Sequence, residues 1–167
     1  MLIGAGRMGK LVAEALPASG FKLLDSYDVT SAAELDVAAP TADLAIDFSN
    51  RASLPHTLAY VRRTGAALLS GTTGFSEEEL ARIRATGTRV PVVWSANYSL
   101  GVAVLRRLAA ETAKALPGFD VEIVETHHNQ KVDAPSGTAK LLLLAVDPSG
   151  EARVAYGREG KIGRAHV

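Results

Sequence analysis

The sequence predicts an α/β protein, built from a doubly wound parallel sheet followed by a second, smaller region. Three observations carry this. Short apolar runs alternate with amphipathic helical stretches through the first ~100 residues, the pattern of a parallel sheet with crossover helices. Gly4, Gly6 and Gly9 have the G-x-G-x-x-G spacing of a Rossmann-type dinucleotide loop. Polar or glycine-rich residues cluster where each strand ends, the side on which such sheets bind ligands. A dinucleotide-binding Rossmann domain is expected over residues 1–99, and a second domain over residues 100–167.

Composition sets the broad class. The 167 residues are 47% hydrophobic with 18 basic and 18 acidic side chains, an ordinary globular balance that gives no reason to expect nucleic acid as a partner. The absence of cysteine excludes disulfides, zinc–cysteine sites and thiol catalysis. No apolar run approaches the ~18 residues of a membrane span, and the N-terminus lacks the regions of a signal peptide. A soluble, cytoplasmic protein is expected.

Only Met1, Leu2 and Ile3 precede Gly4, short for a central buried strand, so the strand is stunted or residues ahead of it have been lost. A helix over residues 10–18 would turn its N-terminus to the cofactor phosphates. Residues 21–24 form the second strand and end in Asp25, where an acid would bond the adenosine ribose; its other reading is the start of a turn. Ser31 and Glu34 fit a capping box over a brief helical turn. Residues 43–49 make the third strand, whose end places Asp47, Phe48 and Ser49 at the cofactor cleft. Residues 53–65 form a helix capped by Ser53 and stopped by Gly65, with His56 exposed and unpartnered. Residues 66–69 are the fourth strand, running into a glycine- and threonine-rich turn. Ser76 and Glu79 start a capped helix, and residues 90–94 are the fifth strand. A long helix follows over residues 100–116, ended by Pro117 and Gly118. Val121, Ile123 and Val124 suit a strand, and residues 141–146 a helix.

The stretch from residue 121 to 139 is the densest in chemistry. It puts His127, His128, Lys131 and Asp133 just ahead of Ser136, Gly137 and Thr138, which open a helix. An imidazole and an ammonium four residues apart can stabilise developing negative charge and protonate it. Ser136, Gly137 and Thr138 offer hydroxyls and N–H groups to a carboxylate. Asp133 orients the loop. A metal site on His127 and His128 is disfavoured, because adjacent residues seldom both reach one ion.

Gly-Ala-Gly-Arg-Met-Gly (4–9), Asp-Phe-Ser (47–49), Gly-Thr-Thr-Gly-Phe (71–75), Ser-Ala-Asn-Tyr-Ser (95–99) and the Glu-Thr-His-His-Asn-Gln-Lys-Val-Asp-Ala-Pro-Ser-Gly-Thr-Ala run (125–139) occur in one order. Together they resemble the 4-hydroxy-tetrahydrodipicolinate (dihydrodipicolinate) reductase family of diaminopimelate and lysine biosynthesis. The resemblance implies NADH and/or NADPH as cofactor, a small cyclic dicarboxylate as substrate, an incomplete α/β substrate-binding and catalytic domain over residues 100–167, and a homotetramer built through that domain's sheet. Gly4, Ala5, Gly6, Arg7, Met8 and Gly9 match the pyrophosphate loop, and Asp25 stands at the ribose-binding acid. Gly71, Thr72 and Thr73 match the turn near the nicotinamide, as do Ser95, Ala96, Asn97 and Tyr98. His127 matches the acid–base histidine and Lys131 the proton-donating lysine; His128, Gly137 and Thr138 match substrate-binding positions. Gly157-Arg-Glu-Gly160 resembles a later family segment, while the further strands with an Arg-Gly-Gly turn and the final helix have no counterpart. Two other readings stand beside this one: a dinucleotide-binding module without catalysis, and another two-domain dehydrogenase acting on an amino-acid-like substrate.

Overall fold

The computed structural model describes residues 1–127 and 135–151. The chain divides into two compact units, Met1–Ala96 and Asn97–Val167, a boundary three residues ahead of the expected one.

The first unit is a parallel sheet of five short strands: β1 (Leu2–Ile3), β2 (Ser26–Tyr27), β3 (Leu44–Asp47), β4 (Ala67–Ser70) and β5 (Val92–Trp94). Helices α1 (Arg7–Ala15), α2 (Leu54–Thr64) and α3 (Glu77–Thr86) connect them. The strand order is β2-β1-β3-β4-β5, with every pairing parallel. The chain leaves β1 for one edge and then crosses back to β3 on the other side. The sheet therefore reverses its direction of winding between β1 and β3, and in such sheets the ligand crevice opens at that point, beyond the carboxyl ends of the strands.

A compact apolar core holds the sheet. Ile3, Leu35, Leu54, Leu58, Tyr60, Val61 and Leu68 are essentially inaccessible to solvent, each side chain of this size contributing roughly 1.5–3 kcal/mol by burial. In α2, the spacing of Leu54, Leu58 and Val61 turns one face inward. Gly65, at φ +78°, stops the helix with a left-handed turn. Ser76 and Glu79 form both bonds of a capping box at the start of α3.

Several local expectations are corrected. Helix α1 starts at Arg7, not Lys10, because Gly6 already serves as its N-cap; Pro17 opens a separate 3-10 turn soon after its end. The second strand is Ser26–Tyr27 instead of residues 21–24. Register explains this: Leu2 lies opposite Ser26 and Ile3 opposite Tyr27, so among the described residues no strand runs alongside residues 21–24. Ser31 does not cap the following 3-10 turn; its hydroxyl bonds Asp28 instead. Ser53 is buried without a partner for its hydroxyl, and Asn50 does the capping by accepting from Ala52 N at 2.7 Å. His56 is half-buried, with Nδ1 2.9 Å from Asp36 Oδ2.

In the second unit, α4 (Leu100–Ala115) packs on α5 (Gly137–Val146). Ser99 and Ser136 cap these helices through their hydroxyls. Residues 121–124 are exposed and not in a strand. An extended segment becomes a strand only with a neighbour for its N–H and C=O groups, and none of the described residues runs beside it.

The glycine loop depends on steric necessity. Gly4 holds φ +115°, and a Cβ there would overlap the Phe48 carbonyl. A Cβ on Gly9 would overlap the Gly4 carbonyl, whereas one on Gly6 would meet nothing within 4 Å. Gly9→Ala is expected to lower stability by about 2–3 kcal/mol, and Gly6→Ala by under about 1 kcal/mol. Urea denaturation of the two variants checks this; equal losses would contradict the packing.

Candidate functional site

The carboxyl edge of the first unit gathers three loops into one concave surface. It is lined by Gly4, Ala5 and Gly6 after β1, Asp28 and Val29 after β2, and Phe48, Ser49 and Asn50 after β3. In α1, the first backbone N–H with a helical acceptor is that of Lys10, which donates to Gly6 O at 3.0 Å. The N–H groups ahead of it have no acceptor in the helix and give this end partial positive charge. Arg7 and Met8 are exposed in the same turn. The open space at Gly6 and the N-terminus of α1 fit a pyrophosphate.

Asp25 does not reach this surface. It sits at the start of β2, where its backbone carbonyl accepts from Leu2 N at 3.1 Å. Its carboxyl oxygens are taken by Ser26 N at 2.8 Å and Tyr27 Oη at 3.0 Å. The acid at the carboxyl end of β2 is Asp28, which sequence reasoning missed. A usable signal was present, since Asp28 also falls roughly 20 residues beyond the glycines. The Thr30 hydroxyl and N–H, with help from Ser31 N–H, hold the Asp28 carboxyl below the ordinary carboxylate range. These bonds all converge on Oδ1, leaving Oδ2 for a ligand's hydroxyls.

Asp47 organises the neighbouring loops. It is 1% exposed. Oδ1 accepts from Ser49 N at 3.0 Å, Thr72 Oγ1 at 2.9 Å and the Ser49 hydroxyl, and Oδ2 accepts from Ser70 Oγ at 2.9 Å. Ser49 N also reaches Thr72 Oγ1 at 3.0 Å, and the Thr72 carbonyl accepts from Trp94 Nε1 at 2.9 Å. Gly71 lies so close to the Phe48 ring that a Cβ would overlap it. Asp47, Phe48, Ser49, Gly71 and Thr72 thus form one packed group. Thr73 is exposed beside them, and Ser95 N extends the β4–β5 pairing to Ser70 O at 3.2 Å. Ala96 closes this unit.

Asn97 and Tyr98 belong to the second unit. Asn97 Nδ2 donates to Thr138 Oγ1 at 2.7 Å, which joins the segment before α4 to the first turn of α5. Ser136 is buried and its donors are already used. Its N–H gives to Glu125 Oε1 at 2.8 Å and its hydroxyl to Glu125 Oε2, while Oγ accepts from Ala139 N at 3.0 Å. Its expected part in carboxylate binding would have to compete with these bonds. His127 Nε2 lies 2.7 Å from Glu125 Oε2. Glu125 was not anticipated, although residues two apart in an extended segment point the same way. Partial burial pushes its carboxyl upward, but the bonds from Ser136 and His127 outweigh that and hold it at about 2. His128, Lys131 and Asp133 lie outside the described residues, as do Gly157, Gly160, Gly163 and Arg164. Among the described residues no cluster of His, Asp and Glu could hold a metal ion, and no helix is long and apolar enough to cross a membrane.

Two measurements test these networks. Asp47→Asn puts an amide nitrogen against a donor, so a loss of about 2–3 kcal/mol is expected in urea denaturation. Glu125 has a depressed folded-state pKa, so its stabilisation is complete above the ordinary carboxylate value and disappears as pH falls through about 2. The gap in denaturation midpoint between wild type and Glu125→Gln should therefore narrow from pH 6 towards pH 3; a widening gap would contradict the assignment.

Comparison with known proteins agrees with this geometry. Residues 1–98 match the family described as dihydrodipicolinate reductase, N-terminus, and residues 101–166 its C-terminus counterpart. A 4-hydroxy-tetrahydrodipicolinate reductase of Stenotrophomonas maltophilia (strain K279a) is 44% identical over 147 residues, covering 87% of this chain and 61% of the relative. Its namesake in Exiguobacterium sp. (strain ATCC BAA-1283 / AT1b) is 38% identical over 96% of this chain and 66% of the relative. That of Gluconacetobacter diazotrophicus is 40% identical over 95% and 65%. The chain thus spans between 61% and 66% of the length of these curated relatives. With a matched glycine loop at the sheet's switch point and a matched histidine segment before α5, the chain belongs to the dihydrodipicolinate reductase family.

Proposed function

We propose that the protein is an NAD(P)H-dependent reductase that converts 4-hydroxy-tetrahydrodipicolinate, by way of dihydrodipicolinate, to tetrahydrodipicolinate in lysine and diaminopimelate biosynthesis. The observation that carries this reading is the concave surface at the β1–β3 switch point, where the N-terminus of α1 and Asp28 face one opening. A dinucleotide bound there supplies a hydride. The chain's own residues do the rest. Gly4, Ala5, Gly6, Arg7, Met8 and Gly9 hold the pyrophosphate, and Asp28 takes the place expected of Asp25 by accepting the adenosine ribose hydroxyls through Oδ2. Phe48 and Ser49 line the same cleft. Gly71, Thr72 and Thr73, with Ser95, Ala96, Asn97 and Tyr98, orient the nicotinamide end. An ionised Asp28 repels a 2′-phosphate and favours NADH over NADPH.

Gly137 and Thr138 have N–H groups without a helical acceptor, a site for one substrate carboxylate. His127 moves the proton that the reduced ring requires. The family resemblance assigns proton donation to Lys131 and substrate binding to His128. Assembly as a homotetramer in the cytoplasm belongs to the same reading.

A coupled assay that generates the substrate in situ and follows oxidation of NADH and NADPH tests the proposal. Turnover is expected with both cofactors, with the higher kcat/KM for NADH. His127→Ala should lower kcat by about 10²- to 10⁴-fold, and wild-type rates in that variant would remove its role. Gly6→Ala should weaken NADH binding about tenfold or more, since a methyl group then occupies the pyrophosphate's approach, while the fold changes little. NADH binding without turnover would instead favour a dinucleotide-binding module.

A further inference from the structure

Glu125 has no part in the chemistry assigned so far, yet His127 and the start of α5 both depend on it. Its Oε2 lies 2.7 Å from His127 Nε2 and accepts from the Ser136 hydroxyl, and its Oε1 accepts from Ser136 N at 2.8 Å. Ser136 is only 6% exposed, so solvent competes weakly for its donors. Resting on the reading of His127 as the acid–base residue, we infer that Glu125 is a positioning residue that fixes the His127 tautomer and leaves Nδ1 as the proton-handling atom.

The inference follows from donor and acceptor inventory. An ionised carboxylate can only accept, so Nε2 must carry the hydrogen of their shared bond. Three donors converge on Glu125, and together they outweigh its partial burial and hold its carboxyl at about 2, so it is ionised at neutral pH. Neutral imidazole has one N–H, so Nδ1 then bears a lone pair; when the ring is protonated, the second proton sits on Nδ1. Once hydride has added to the substrate's conjugated system, an electron pair on the reduced ring forms a bond to that proton. The electrons of the Nδ1–H bond stay on nitrogen, and His127 returns to its neutral form with Nε2–H still held by Glu125. The same carboxylate grips Ser136 by two bonds, so the imidazole and the N–H groups of Gly137 and Thr138 are spaced by one rigid connection. A partner of this kind orients a reactive imidazole as outer ligands orient metal-bound histidines.

The test joins spectroscopy to kinetics in the whole protein. With ¹⁵N-labelled histidine, the His127 signals (assigned by their loss in His127→Ala) should be those of the Nε2–H tautomer; the Nδ1–H tautomer in wild type would overturn the inference without any variant being made. Glu125→Ala should give mixed tautomers and a kcat lower by about 100-fold, with the KM for NADH unchanged. Glu125→Gln, whose carbonyl can still accept from Nε2, should recover kcat to within about tenfold of wild type and keep the Nε2–H tautomer. If His127→Ala is inactive while Glu125→Ala turns over at the wild-type rate, the positioning role is overturned and the proposed function stands. If His127→Ala keeps wild-type turnover, the proposed function loses its acid–base residue and this inference falls with it.

Discussion

The buried carboxyl group of Asp47 is the constraint on which the carboxyl edge of the sheet depends. Parallel strands as short as these end abruptly, and nothing in their ladders dictates where the loops beyond them go. Asp47 settles that by collecting donors from its own loop, from the end of β4 and from the turn after it. Trp94 then ties the fifth strand to the same turn through the Thr72 carbonyl. A donor cluster around one inaccessible acid is costly to disturb, because each orphaned group would lose both its partner and access to water. The loops at this edge of the sheet are thereby fixed to one another.

The second unit repeats this logic on a smaller scale. Glu125 joins an extended segment to a helix start as Asp47 joins three loops, and Asn97 fastens Thr138 to the approach of α4. In each case a short polar side chain fixes backbone that regular hydrogen bonding leaves unspecified. Helix caps and carboxyl hubs, more than apolar packing, give the functional residues their addresses.

The elements themselves were largely legible in the sequence. Periodicity and capping residues located α2, α3 and α4 closely, and the polar strand ends located the ligand edge. What escaped depended on pairing partners distant in sequence. Residues 21–24 look like a strand in isolation, but register with β1 moves the strand past Asp25 and brings Asp28 to the site. Residues 121–124 have an apolar pattern suited to a strand and no neighbour beside them among the described residues. Ser53 and Ser136 show the same limit for side chains. Both have a capping residue's chemistry, yet the hydroxyl of Ser53 is buried without a partner, while that of Ser136 both caps α5 and donates to Glu125. Local propensity names the groups able to bond; tertiary geometry decides which do.

The loop after β2 carries a consequence for redesign. Asp28 both faces the ligand surface and staples its own loop, since Thr30 and Ser31 bond its Oδ1. Replacing it with a neutral or basic residue, the obvious route to accepting a 2′-phosphate, would also release that loop. A successful exchange of cofactor would therefore need compensating changes at positions 30 and 31. Positions 28, 30 and 31 are thus coupled through one carboxylate oxygen, and a change at the first is felt at the other two.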